Sequence, residues 1–109
     1  MAALGCTNPR PRKATAGPGF NAPSADVVCT FKGHDVEVGT WASQADEQQF
    51  VAAVGAIEKS YNQTTYVVVG TGWTVGTAPD EHPHATRADK DLAEAVASTI
   101  GGQVQLLGS

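Results

Sequence analysis

Apolar and polar positions alternate along this chain with two periods, and the change from one to the other marks its elements. From Asp26 the apolar residues recur every second position. Val27, Cys29 and Phe31 share one face, and Val28, Thr30 and Lys32 the other. Lys32-Gly33-His34-Asp35 supplies turn residues, with Gly33 able to take positive φ. Alternation then resumes, with Val36, Val38 and Thr40 set against Glu37, Gly39 and Trp41, which predicts a hairpin. The period lengthens over residues 45–61, where Phe50, Val54, Ile57 and Tyr61 form one helical stripe. Ser43 or Asp46 can cap this helix, and Asp46, Glu47 and Lys59 match its dipole. Tyr66 to Val69 is a continuous apolar run, suited to a strand covered on both faces or at a sheet centre. Gly70-Thr71-Gly72 turns the chain, and Trp73 to Thr77 returns as a second hairpin. Thr86 with Asp89 makes a capping-box-like start to a helix over 87–100, striped by Leu92, Val96 and Ile100 and stopped by Gly101-Gly102. A last strand follows, with Val104 and Leu106 on one face.

The predicted order over residues 26–109 is ββαββαβ. Without its first strand this is βαββαβ, the ferredoxin-like or split βαβ arrangement. The expected fold is therefore an α+β two-layer sandwich, an antiparallel sheet with two helices on one face.

Residues 1–25 have a different texture. Pro9, Pro11, Pro18 and Pro23 interrupt a stretch with one aromatic, Phe20, and no apolar period. Such a segment buries too little surface to offset its ordering entropy, so it reads as a disordered linker ahead of the compact 26–109 domain. Cys6 closes the tetrapeptide Ala3-Leu4-Gly5-Cys6. That tetrapeptide resembles a bacterial lipobox, in which a small residue precedes the lipid-modified cysteine. The resemblance implies Cys6 as the lipid attachment point of a membrane-tethered domain. It departs from the pattern in two ways. Leucine stands two residues before the cysteine rather than three, and a charged, apolar signal sequence is lacking. Two further readings stay open: a Cys6–Cys29 disulfide closing a loop worth about 3 kcal/mol, and Cys29 as a small buried hydrophobe, the one favoured. Beyond residue 26 the Val-rich strand running into Val69-Gly70-Thr71-Gly72-Trp73 and the ending from Leu92 to Val104 resemble, in layout, small exported proteins of high-GC, actinobacterial-type bacteria. That likeness implies an extracytoplasmic domain of no assigned activity and supplies no site residues.

Composition removes some functions. The 109 residues carry a formal net charge of -4, which disfavours a nucleic-acid partner. No run approaches the ~20 apolar residues of a membrane span. Gly70-Thr71-Gly72 through Gly76 has the wrong spacing for a dinucleotide fingerprint, and no helix opens behind it. A Gly-x-Ser-x-Gly elbow is absent. Asp46, Glu47, Glu58, Asp89, Asp91 and Glu94 all fit exposed helix positions, so paired catalytic acids cannot be picked out.

Two features could bind. Asp80, Glu81, His82 and His84 offer imidazole and carboxylate within five residues, with His34 and Asp35 as further donors if the two loops meet. A solvated loop is the commoner meaning of such a run. Trp41 and Trp73 would form a partner-binding aromatic patch if both lay outside the helix-covered core. The expected function is a non-enzymatic, monomeric interaction domain without a cofactor. It would be membrane-anchored or secreted and would meet a protein partner at the cell envelope. A phage-encoded exclusion or immunity lipoprotein is one instance of that class. The alternative is a small-ligand or transition-metal binding domain using the His82/His84 loop.

Overall fold

Each predicted element forms where the periodicity changes, and one unpredicted strand precedes them. The computed structural model describes residues 4–77 and 84–108. The order is β1 (Thr7–Pro11), β2 (Ala25–Phe31), β3 (His34–Thr40), α1 (Gln44–Ser60), β4 (Thr65–Val69), β5 (Trp73–Gly76), α2 (Arg87–Ile100) and β6 (Gln103–Leu107). The helix starts are set by side chains that accept orphan N–H groups. The Ser43 hydroxyl accepts from the Asp46 amide at 3.1 Å. Thr86 and Asp89 satisfy each other's backbone amides at 3.2 and 2.9 Å, a complete capping box.

All six strands join one antiparallel sheet in the order β1-β2-β3-β5-β4-β6. The fold is α+β, but this strand order differs from a ferredoxin-like sheet, where the last strand would flank β3. Here β2 already occupies that side of β3 as its hairpin partner, and β6 pairs with β4 instead.

The strand order decides where the helices go. The β3–α1–β4 connection passes over β5, and β5–α2–β6 passes over β4. The two crossovers leave antiparallel strands and step the same way along the sheet. Crossovers of one hand then lie on opposite faces. The packing agrees. Leu92, Ala93 and Val96 of α2 cluster with Cys29, Phe31, Val36, Val38, Val68 and Val75. Phe50, Val54 and Ile57 of α1 look onto the other parity: Glu37, Gly39, Val67, Thr74 and Gly76. The expectation of two helices on one face is therefore corrected to one helix on each. Val67 and Val68, successive residues of β4, are both buried because both faces are covered.

The opening residues are corrected as well. Thr7, Arg10 and Pro11 pair with Thr30, Val28 and Val27, with an irregularity between Thr7 and Arg10. Leu4 is buried in the α2-side core. Further along, the Arg12 amide donates to the Asp26 carbonyl at 2.8 Å and the Ser24 amide to the Thr40 carbonyl at 2.7 Å. Phe20 meets Phe50 edge-on with ring centroids 5.1 Å apart. The compact unit thus includes residues 4–25 and has no boundary at residue 26. Cys6 and Cys29 form a disulfide with their Cα atoms 5.7 Å apart. A sulfur in that bond carries no thioether, so the assignment of Cys6 as a lipid attachment gives way to the bridge. Among the described residues no helix is long and apolar enough to cross a membrane.

Candidate functional site: a cleft between helix α1 and the sheet

Helix α1 carries the predicted apolar stripe but does not seat it fully. Phe50, Val54 and Ile57 are half-buried, Tyr61 is 70% exposed, and the buried residue of the helix is Glu47. Between the stripe and the sheet lies a cleft of about 410 Å³. Phe20, Trp41, Phe50, Val54, Ile57 and Leu107 supply apolar wall. A volume of that size is the scale of small-molecule sites, whereas voids in a close-packed interior seldom exceed a water.

Two glycines make the floor. Gly76 lies opposite Glu37, and Gly39 opposite both Asp26 and Thr74, all in the middle of the sheet. A Cβ built at Gly76 would meet nothing nearer than the Glu37 carbonyl oxygen at 3.9 Å. Gly weakens a strand interior and commonly marks close approach of another group. Here the missing side chain of Gly76 leaves room opposite Glu37, whereas Gly39 lets the Trp41 ring and Thr74 Oγ1 approach its backbone closely.

Asp26 and Glu37 sit on diagonal positions of the β2–β3 pair, within reach of each other. Burial, and then the hydrogen bond and negative charge of Asp26, push Glu37 up to about 7, with the Arg12 charge opposing. Arg12 stands 3.8 Å from the Glu37 carboxylate on a half-exposed side chain. Asp26 Oδ1 is buried with no hydrogen-bond donor. Asp26 Oδ1 lacks a donor and Glu37 changes protonation state near neutrality, so the site favours a group that brings N–H or positive charge.

The far end of the cleft is held rigidly. The Trp41 indole N–H donates to Thr74 Oγ1 at 3.1 Å, and its ring lies 4.6 Å from that of Phe50. The Gly72 amide donates to Glu47 Oε1 at 2.9 Å, and the Trp41 amide to the Gly72 carbonyl at 2.9 Å. These bonds tie the start of α1 to the β4–β5 turn.

The sequence-predicted sites fare differently. Trp41 has the parity expected of it, opposite Val36 and Val38, but that face is covered by α1, so Trp41 is buried at 8% exposure. Trp73 points to the other face and packs, half-buried, against the α2-side core. The two do not form an exposed patch, and the assignment of Trp41 and Trp73 to partner binding is corrected to wall and core. Of the proposed metal donors, His82 lies outside the described residues and His84 is exposed. Among the described residues no group of three or more His, Cys, Asp and Glu is arranged to hold a metal ion. Asp26, Glu37, Gly39 and Gly76 were not singled out from sequence. The trace they leave there is two glycines and a carboxylate on one strand parity, which looks like an ordinary solvent face.

No protein-family model matches the chain, and neither the curated proteins nor the solved structures contain a significant match to it.

Proposed function

We propose that this protein is a small extracytoplasmic binding domain, not an enzyme, that holds a compact organic ligand in the cleft between α1 and the sheet. The observation that carries this reading is the standoff of α1. A half-buried aromatic and aliphatic stripe faces a glycine floor across about 410 Å³ instead of packing on it. A natural core of this size closes such space unless something occupies it. The disulfide supports an oxidising compartment, since bridges of this kind are rare where thiols are kept reduced. Binding is favoured over catalysis because the lining sets its carboxylates among apolar, Thr, Gln and Tyr side chains, with no Cys, Ser, Lys or His beside them.

A fragment panel followed by amide chemical-shift mapping on the oxidised full chain tests the proposal. Hits should move the amides of Gly39, Val54, Ile57, Thr74 and Gly76 together. Gly76→Val should abolish those shifts by filling the floor. The same substitution should leave the fold intact or stabilise it by about 0.5–1 kcal/mol, because the position has room and valine favours a strand. Hits scattered over the surface, or a Gly76→Val protein that binds as well as the parent, would remove the cleft from consideration.

A further inference from the structure

Resting on the cleft reading above, we infer that the occupant is an organic ammonium: a small amine with an apolar body, its charged head against Asp26 and Glu37 and its body along Trp41, Phe50 and Val54.

The lining shows why. Its charged side chains are Asp26, Glu37 and Glu58, all acidic, and no Lys or Arg contributes to it. Glu58, on α1, has a partner of its own, so the inference rests on the other two. Asp26 offers a buried oxygen with no donor, and Glu37 stands across from Gly76, where a missing side chain leaves space. An ammonium brings three N–H donors and no acceptor, which suits the unpartnered Asp26 oxygen with a second carboxylate beside it. Trp41 and Phe50, in contact with each other in the same lining, offer an aromatic wall to the apolar body. A bare metal ion fits less well, because among the described residues no three His, Cys, Asp or Glu side chains gather to hold one. An anionic ligand would be repelled by the same pair.

The charged groups around Glu37 are few. Asp26 faces it from β2, Arg12 from the segment after β1, and Glu58 lines the cleft from α1. Asp35, two residues back on the same strand parity, is engaged by Arg10 at 2.8 Å and by Thr30 at 3.1 Å. Arg12, half-exposed and 3.8 Å from the Glu37 carboxylate, is the one cation among these groups.

Three probes of one shape separate the possibilities: 2-phenylethylamine, 2-phenylethanol and 3-phenylpropionate, titrated into the oxidised full chain by amide shift mapping. The amine should bind roughly tenfold tighter than the alcohol, and the carboxylate weakest. Amine affinity should rise from about pH 5.5 to about pH 8 as Glu37 loses its proton, while alcohol affinity stays flat. Glu37→Gln should erase the amine preference and keep the alcohol. Equal binding of amine and alcohol, or tightest binding of the carboxylate, overturns the ammonium inference. If those probes still shift the cleft amides, and Gly76→Val still blocks them, the cleft reading stands. If none of the three moves a cleft amide, the ammonium inference fails, and the fragment panel judges the cleft on its own.

Discussion

Glu37 shows how little of a residue's behaviour its own identity fixes. On a strand with alternating valines it looks like a solvent-facing carboxylate. In the fold it sits beside Asp26 over two glycines, and burial with a like charge holds its proton to about 7 against an ordinary 4.5. The consequence for stability has a definite sign. Below about pH 4.5 both folded and unfolded chains are protonated and the contribution is whole. It declines as pH rises and is gone above about 7. Glu37→Gln mimics the protonated form throughout. It should match the parent in acid and exceed it by about 1–2 kcal/mol at pH 8, a value reduced for solvent screening at a side chain 33% exposed. Urea unfolding at several pH values measures this; parallel curves for the two proteins would contradict it. Asp35 has the opposite sign. Its bonds to Arg10 and Thr30 lower its carboxyl, so its contribution is whole above the ordinary value of 3.8 and is lost as pH falls below it.

Strand β1 is the element that composition conceals. Prolines argue against a strand because they cannot donate to a ladder, yet an edge strand needs only one side of its backbone. Pro9 and Pro11 therefore stand at the one place in a sheet that tolerates them, and they blunt the edge against further pairing. What holds so weak a strand is the disulfide, together with Leu4 in the core. The 23-residue separation corresponds to about 3 kcal/mol of chain entropy. The double variant Cys6→Ser/Cys29→Ser should lose about that much. Hydrogen exchange at Thr7, Asn8, Arg10 and Arg12 should rise far more than at Val36 to Val38. Unchanged protection of β1 in that variant would show that the pairing holds without the bridge. The other elements were legible, because their cues are local: the Ser43 and Thr86 caps, the valine run of β4, and the Gly101-Gly102 stop. The last strand was legible only in part. Leu107, not Leu106, is buried, since α1 covers the face that Leu107 shares.

At the scale of the whole molecule the two layers are unequal. On one side α2 buries Leu92, Ala93 and Val96 in a dense valine core; on the other α1 spans a cleft and buries only Glu47. One sheet thus carries a packed face that stabilises and an open face that can receive. Regions with fewer buried apolar contacts open more readily. Amides of Val54 to Ile57 in α1 should exchange at least roughly tenfold faster than those of Leu92 to Val96 in α2, and a bound ligand should narrow the gap. Equal protection in the free protein would mean that the cleft closes in solution.

The sequence by itself determined the elements, their caps and the parity of each strand, because these depend on neighbours within a few residues. It could not determine the strand order, and everything functional follows from that order. Placing β6 beside β4 sends α1 and α2 to opposite faces, which hides Trp41 and sets Glu37 above Gly76 under a helix that stands off. Those are relations between residues far apart in the chain, and only the closing of the sheet brings them together.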